Sequence, residues 1–399
     1  MSPRRREVLE FFAGGGMARI GLGRGWRCTF ANDVDKGKCA AYRENFGDAH
    51  LVERDVARLS SADLPGRADL AWASFPCQDL SLAGGRRGME MGGAGARSSM
   101  FWAFWFLVEI LAEEGRAPKT LCVENVLGLA TSNQGRDFNA LCTALGRSGW
   151  YWDAHAVDAA GFVPQSRPRL FIIAWRGAEP PAALAPQADD ADAAPTHPAL
   201  ARAIERLDPE AAAARRPLRL PAPPGTNQTL GDLLEDAPTG VKWKTKAEVN
   251  RLLSLMTPRQ RARVEEARAA AQRGGQRRAG GVYRRTRKDK AGVSVQRAEV
   301  RFDVAGCLRT PAGGSSRLTL LIAEPDGSLR ARLLSAREAA RLMGLPDSYK
   351  LPKAYTAGYK IAGDGVAAPV VRHLAQHLIE PLCAEIDRVE AAQADRAAE

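Results

Sequence analysis

Cys77 is the side chain best suited to nucleophilic chemistry, because it lies in the polar sequence SFPCQ at positions 74–78, directly after an apolar segment. A free thiol has a pKa of about 8.5, so it forms enough thiolate at neutral pH only where the site lowers that value. A lone cysteine is more often a small core residue. We adopt this interpretation for the six others, which are Cys28, Cys39, Cys122, Cys142, Cys307 and Cys383. The polar loop makes Cys77 the candidate nucleophile.

An acid and several polar or cationic residues accompany two further apolar segments. Glu124 ends one such segment, and a carboxyl there can protonate or hydrogen-bond a ring nitrogen. Gln165, Arg167 and Arg169 alternate just before the apolar segment Leu170–Trp175. Because residues two apart point to one face of a strand, we expect both arginines to point into the same cleft. An ordinary strand-end acid and a salt-bridged arginine pair are the alternatives.

A glycine turn follows the first apolar segment and precedes a helix-like pattern. Glycines let the backbone approach a ligand, and a helix N-terminus favours polar or anionic groups. The turn Gly14–Gly16 is not the dinucleotide pattern GxGxxG, because Arg19 stands at the place of the third glycine, so a tight strand-to-helix turn is the alternative. Asp33 follows about 20 residues later, where an acid commonly accepts from ribose hydroxyls. Asp55 follows in a later loop and by itself indicates little.

Strands and helices alternate through the first half of the chain. The apolar pattern predicts a buried helix at Phe101–Leu111 and strands at Val8–Phe12, Arg27–Ala31, Asp69–Ala73, Thr120–Val123 and Leu170–Trp175. Such alternation predicts an α/β fold with a doubly wound sheet. Ligands bind at the carboxyl ends of strands in these sheets, so the polar and glycine-rich sequences should meet at one edge.

The positive charge of the chain is concentrated in one quarter of its length. The 399 residues contain 57 Lys and Arg and 46 Asp and Glu, a net charge of +11. Residues 1–200 hold 22 basic and 23 acidic residues, residues 201–300 hold 22 and 11, and residues 301–399 hold 13 and 12. The middle stretch therefore carries the whole excess, which indicates a polyanionic partner, most often nucleic acid.

Composition and cysteine usage argue against several classes of protein. The longest apolar run, Met100–Val108, is far shorter than the ~20 residues that span a bilayer, so we expect no membrane segment. Acidic residues follow Arg4–Arg6 at once, where a signal peptide would have an apolar core. Seven cysteines without a CxxC pair favour a reducing compartment and argue against a zinc framework. We therefore expect a cytoplasmic protein without a metal site.

Taken together, the motifs resemble those of the DNA cytosine 5-methyltransferase family. The resemblance covers nearly the whole chain outside about residues 178–300, and it is carried by an ordered series: FFAGGG at 11–16, NDVD at 32–35, RDV at 54–56, FPCQ at 75–78, RSSMF at 97–101, ENV at 124–126, QSRPR at 165–169, REAARLMGLP at 337–346 and GDGV at 363–366. The fold it implies is a Rossmann-like S-adenosylmethionine-dependent methyltransferase domain with a smaller inserted target-recognition domain.

The resemblance also implies the cofactor S-adenosylmethionine and its contacts. Asp33 would hold the ribose, Asp55 the adenine amino group, and the glycine turn would face the methionine part. The full implied set is Phe12, Gly14, Gly16, Asp33, Asp55, Pro76 and Asp364. Three positions depart from the family pattern: Asp33 replaces the usual Glu, Met17 a glycine and Asp364 an Asn. The departure at Asp364 weakens the contact assigned there.

The implied mechanism begins when the target cytosine is flipped out of the duplex. Cys77 would then attack the 6-position of the ring, Glu124 would donate to ring nitrogen 3, and Arg169 would hold the 2-oxo group. Gln165 and Arg167 complete the implied catalytic set. The activated 5-position would take the methyl group, and a base would remove its proton and release Cys77.

The basic block then becomes the target-recognition domain. We predict a catalytic domain in two parts, residues 1–177 and 331–399, with residues 178–330 between them as an Ala/Pro-rich linker and recognition domain. The candidate DNA contacts are Arg277, Arg278, Tyr283, Arg284, Arg285, Arg287 and Lys288. Tyr283 is a candidate for base stacking. The alternative for each arginine is a phosphate contact that only positions the protein.

These observations predict a DNA (cytosine-5-)-methyltransferase that modifies a specific duplex sequence. We expect a monomer in a bacterial or phage-infected cytoplasm, associated with the nucleoid, and a separately acting restriction endonuclease is a candidate partner. An RNA cytosine 5-methyltransferase and a non-catalytic DNA-binding module with the same fold are the alternatives. A nicotinamide oxidoreductase is disfavoured because GxGxxG is missing, and an adenine methyltransferase because no Asp/Asn-Pro-Pro-aromatic sequence occurs.

Overall fold

The computed structural model describes residues 4–76, 99–187, 194, 196–288, 294–309 and 317–398, with the side chains of Ser99 and Arg287 left out. Its residues divide into two compact units. Unit 1 comprises Met1–Asp158, Pro168–Pro223 and Ala368–Glu399, and unit 2 comprises Ala159–Arg167 and Pro224–Ala367. Among the described residues, no helix is long and apolar enough to cross a membrane.

Unit 1 contains a seven-stranded mixed sheet. Its strands are β1 (Arg6–Phe11), β2 (Trp26–Asp33), β3 (Leu51–Glu53), β4 (Leu70–Ala73), β5 (Thr120–Val126), β6 (Tyr151–Asp158) and β7 (Pro168–Trp175). Their order is β3-β2-β1-β4-β5-β7-β6. The first five strands pair in parallel, and β7 runs antiparallel to both neighbours. The carboxyl ends of β1, β2, β4 and β5 therefore meet at one edge, as the sequence predicted, and the doubly wound α/β class is confirmed.

Unit 2 contains a four-stranded antiparallel sheet. Its strands are β8 (Arg278–Lys288), β9 (Ser294–Phe302), β10 (Thr319–Ala323) and β11 (Leu329–Leu333), in the order β11-β10-β8-β9. β8 was not predicted from the sequence, because its glycines and charged residues show no alternation of apolar and polar side chains.

Twelve α-helices complete the described part of the chain. They are α1 (Met17–Leu22), α2 (Lys36–Phe46), α3 (Ser99–Glu113), α4 (Arg136–Arg147), α5 (Pro198–Ile204), α6 (Pro209–Ala214), α7 (Lys246–Ser254), α8 (Pro258–Gly274), α9 (Ala336–Arg341), α10 (Tyr355–Asp364), α11 (Ala368–Leu374) and α12 (Glu380–Ala398). A π-helical turn, residues 375–379, joins the last two. In unit 1, Phe104 of α3 and Leu141 of α4 share a buried core with Leu9 and Phe11 of β1. This core supports the strands whose ends carry the polar loops.

The two units divide the chain at other places than the predicted domains. Residues 178–223 belong to unit 1, because α6 packs on α4 and Trp152 donates to the carbonyl of Ala211. Residues 331–367 belong to unit 2, because β11 pairs with β10 and α10 packs on α9. The assignment of catalysis and recognition to particular segments stays a prediction.

Candidate active site at the strand ends

The glycine turn is fixed to the end of the neighbouring strand. Phe12, Gly14 and Gly16 all have positive φ, at 56°, 56° and 76°. The amide of Ala13 donates to the carbonyl of Asn32, and the amide of Gly14 donates to Asp33 Oδ2, each over 2.8 Å. The turn after β1 is thereby held against the end of β2, with α1 beginning directly behind it.

Gly14 and Gly16, the first and last glycines of this turn, differ in their surroundings. A Cβ at Gly16 would lie 2.3 Å from Phe46 Cε2 and 3.0 Å from Tyr42 Cε2, so only glycine fits there. A Cβ at Gly14 would meet nothing within 4 Å. Gly16 therefore serves packing, whereas Gly14 leaves its backbone open to a ligand.

The two predicted cofactor acids already hold backbone amides. Asp33 is 7% exposed, and besides Gly14 it accepts from the amide of Asp35 over 2.8 Å. Asp55 is half-buried and accepts from the amide of Ala57 over 3.0 Å, which caps a short 3-10 turn. A carboxylate has about four acceptor positions, so each acid keeps capacity for hydroxyl or amino groups of a ligand.

Glu10 is a polar residue at this site that the sequence analysis missed. It lies in the middle of β1, is fully buried, and accepts from the amide of Arg19 over 3.4 Å. Within the described ranges, its Oε2 has no hydrogen-bond partner. Burial raises the pKa of this carboxyl to about 8. The signal in the sequence was a single acid inside the apolar run VLEFF.

The loop after β4 leads to the predicted nucleophile. Phe75 is buried against Phe101, with ring centroids 5.6 Å apart, and Pro76 is exposed. Asn125 Nδ2 donates to the Phe75 carbonyl over 3.0 Å, and its Oδ1 accepts from the amide of Val126 over 2.8 Å. Asn125 thus ties this loop to the end of β5, a role that the sequence analysis did not assign. Cys77 itself lies outside the described residues.

The structure brings Glu124 and Arg169 together. Arg169 Nε lies 3.3 Å from Glu124 Oε1, and the two side chains are 14% and 10% exposed. The contact follows from the antiparallel pairing of β5 with β7, in which Arg169 lies opposite Val126. An acid and a cation are therefore held side by side at the edge where β5 ends.

Gln165 and Arg167 have other partners, all in unit 2. Gln165 is fully buried, donates to the Leu342 carbonyl over 2.8 Å and accepts from the amide of Leu308 over 3.1 Å. Arg167 donates to three carbonyls, those of Leu308, Gly363 and Gly365. Arg167 does not share a strand face with Arg169, as the two-residue spacing predicted, because β7 begins only at Pro168. Both residues stabilise loops of unit 2.

The remaining predicted residues, Asp364 and two groups of candidate DNA contacts, also lie in unit 2. Asp364 is exposed at the end of α10. Arg277 forms an ion pair with Asp236, Arg278 lies 3.4 Å from Asp303, and the Tyr283 hydroxyl accepts from the amide of Gly306. These three side chains are engaged within the protein. The second group lies farther along β8, where Arg284, Arg285 and Lys288 are exposed and Arg287 is placed by its backbone alone.

Comparison with known proteins identifies the family. Residues 6–380 match the model of the C-5 cytosine-specific DNA methylase family. The chain is 25% identical over 386 residues to the type II methyltransferase M.NlaX of Neisseria lactamica, covering 96% of this chain and 99% of that one. It is 24% identical over 379 residues to the type II methyltransferase M.HhaI of Haemophilus parahaemolyticus, covering 93% of each.

Two solved structures share the fold. The S. pombe Dnmt2 methyltransferase aligns with a TM-score of 0.58 at 17% identity, over 95% of this chain and 99% of that one. An E. coli prophage protein described as a putative DNA modification methyltransferase aligns with a TM-score of 0.52 at 17% identity, over 96% and 99%. Because the family model matches almost the whole chain, we conclude that the chain belongs to the C-5 cytosine-specific DNA methylases and is an enzyme of that family.

Proposed function

We propose that the protein transfers a methyl group from S-adenosylmethionine to the 5-position of cytosine in a specific duplex DNA sequence, through a covalent adduct with Cys77. The observation that carries the chemistry is the contact between Glu124 and Arg169. Ring nitrogen 3 and the 2-oxo group of cytosine are neighbouring atoms, so the groups that bind them must lie side by side. The residue pair at the ends of β5 and β7 meets this requirement.

The residues of unit 1 fit the cofactor. A ligand can approach the turn after β1 closely. The backbone is open at Gly14, Phe12 has a positive φ, and Asp33 at the end of β2 holds the turn in place through the Gly14 amide. Asp33 and Asp55 supply acceptors for the ribose and the adenine amino group. Phe12, Pro76 and Asp364 complete the proposed set, with Asp364 supported by its motif alone, and Gly16 shapes the turn through its packing. When bound, the cofactor supplies a methyl group on a sulfonium centre.

In the proposed mechanism, the Cys77 thiolate adds to the 6-position of the flipped cytosine, and the electron pair of the 5,6 double bond moves toward nitrogen 3. Glu124 donates a proton to that nitrogen, and Arg169 binds the 2-oxo group. The 5-position thereby becomes a nucleophile and takes the methyl group. Loss of its proton to a base restores the double bond and expels Cys77 as the thiolate, and nitrogen 3 returns its proton to Glu124. Asn125 positions the loop that carries the nucleophile.

The proposal extends to the partners. Duplex DNA is the substrate that the excess of Lys and Arg in residues 201–300 favours. The relatives are named type II methyltransferases, which supports a role beside a separately acting restriction endonuclease. We propose a monomer in the bacterial cytoplasm, associated with the nucleoid.

The test is expression in a host without DNA methylation, followed by bisulfite sequencing of its genome. The proposal predicts that cytosine in one short sequence becomes protected from conversion, and that Cys77→Ala abolishes the protection. A genome that stays fully convertible would contradict the proposal. Assays with a radiolabelled methyl donor then compare duplex DNA with RNA as the substrate. Methylation of RNA alone would favour the alternative function, an RNA cytosine 5-methyltransferase.

A further inference from the structure

The outer half of the β8–β9 hairpin is a two-stranded ribbon. β8 pairs with β10 only from Arg278 to Val282, whereas it pairs with β9 as far as Lys288, opposite Ser294. Within the described residues, the segment 283–288 pairs only with β9, and the segment 294–299 meets one further residue, Met256, in an isolated bridge to Ala298. A two-stranded antiparallel ribbon fits the major groove of B-DNA, which is roughly 12 Å wide.

The two faces of this ribbon differ. Val282, Ala298 and Val300, which have even numbers, are buried in the core that includes Met256 and Val264. Side chains alternate along a strand, so Arg285 and Arg297 belong to the opposite face. The odd-numbered face therefore points away from this core, and on both faces the outer residues of the ribbon, Arg284 and Arg285 among them, are exposed.

Two exposed arginines oppose each other on that face. Arg285 and Arg297 are directly paired across the strands and both are exposed. Like charges at opposed positions destabilise a sheet. Neither forms an ion pair within the described ranges, whereas Arg277 and Arg278 each have an acidic partner. An arrangement that destabilises the free protein but presents two unpaired guanidinium groups is suited to a partner that supplies acceptors.

Resting on the proposed function, we infer that the odd-numbered face of the ribbon enters the major groove and that Arg285 and Arg297 determine sequence specificity. Arginine binds the O6 and N7 atoms of guanine in a bidentate manner. The recognised sequence therefore contains guanines beside the target cytosine. Arg284, on the other face, contributes at most to phosphate binding.

The test compares Arg285→Ala and Arg297→Ala with the matched control Arg284→Ala, by bisulfite sequencing in the methylation-free host. Each of the first two variants should lose roughly 5- to 150-fold in discrimination at one guanine position, so that the methylated motif becomes degenerate there. Arg284→Ala should keep the motif. Because Arg297→Ala removes a like-charge pair, it should unfold at the same or a higher temperature than the wild type.

Three results would overturn the inference. The motif could stay unchanged in both variants, Arg284→Ala could relax it instead, or the variants could weaken methylation equally at all sites. The last result, with a salt slope of binding reduced by about 1, would identify phosphate contacts. All of these presuppose an active wild-type chain, whereas an inactive wild-type chain would contradict the proposed function itself.

Discussion

Polar side chains at the strand ends of unit 1 and on the ribbon of unit 2 are held in different ways. At the strand ends of unit 1, Asp33 and Asn125 are buried and bonded to backbone groups of neighbouring loops. On the ribbon of unit 2, Arg285 and Arg297 are exposed and, in the described residues, form no ion pair. Groups fixed before substrate arrives suit chemistry, because their geometry need not be reorganised. Groups without internal partners suit recognition, because the nucleic acid supplies the partner.

Glu124→Gln is expected to have the largest effect on activity, and it tests the preorganised side of this comparison. The amide keeps the shape but cannot transfer a proton, so the rate of methyl transfer should fall by roughly 10²- to 10⁴-fold. Single-turnover assays should show the loss in the chemical step, while DNA affinity stays near the wild-type value. Retention of more than a tenth of the wild-type rate would exclude Glu124 as the proton donor.

Asn125→Ala tests positioning without touching the reacting groups. The substitution removes the hydrogen bond to the Phe75 carbonyl, two residues before Cys77. A misplaced nucleophile loses about 100-fold in rate, so kcat should fall while KM for DNA changes little. Asn133→Ala, at an amide outside the site, is the control and should leave kcat unchanged. Equal changes in both variants would show that Asn125 has no special role.

Substitutions of Gly16 and Gly14 separate the packing role of the glycine turn from its role in ligand access. Gly16→Ala forces a Cβ against Phe46 and Tyr42 at a left-handed φ, and it should destabilise the fold by about 2–4 kcal/mol. Gly14→Ala carries only the backbone strain of about 1 kcal/mol, and its main effect should be weaker cofactor binding. Thermal unfolding and calorimetric titration separate the two. Equal destabilisation in both variants would contradict the distinction.

The last prediction concerns a pH dependence of the folding stability that arises from Glu10. Its folded pKa of about 8 lies above the ordinary value of 4.5, so the unfolded chain ionises first as pH rises. Between these values the wild type should lose stability relative to Glu10→Gln, by at most about 1.4 kcal/mol per pH unit, and the difference should level off above pH 8. Chemical denaturation at pH 5 to 9 measures it. A constant difference over this range would show that Glu10 is ionised in the fold.

The sequence predicted where the strands of unit 1 end, because the signals for a strand end are local. Apolar runs end in polar loops at Asp33, Pro76 and Glu124, and in a parallel sheet these ends meet at one edge. It could not predict the partners of Arg167, because these carbonyls come from Leu308, Gly363 and Gly365, far along the chain.

The roles of individual residues in the basic block were less predictable, because they too depend on partners that are distant in the chain. Its charge indicated a polyanion, but its six basic candidates were equivalent by sequence. Asp236 and Asp303, which neutralise Arg277 and Arg278, are distant in the chain. The pairing that sets Arg297 opposite Arg285 depends on strand register, which the sequence did not reveal. Arg297 was therefore missed entirely.

The most direct test of the central claim is the trapping of a covalent complex. The protein is incubated with methyl donor and with DNA that carries 5-fluorocytosine at the target position, where the fluorine prevents release of the nucleophile. We predict a denaturation-resistant adduct with the wild-type protein, none with Cys77→Ala, and slower formation with Glu124→Gln. An adduct that persists in Cys77→Ala, or none with a wild-type protein that methylates ordinary DNA, would contradict the account.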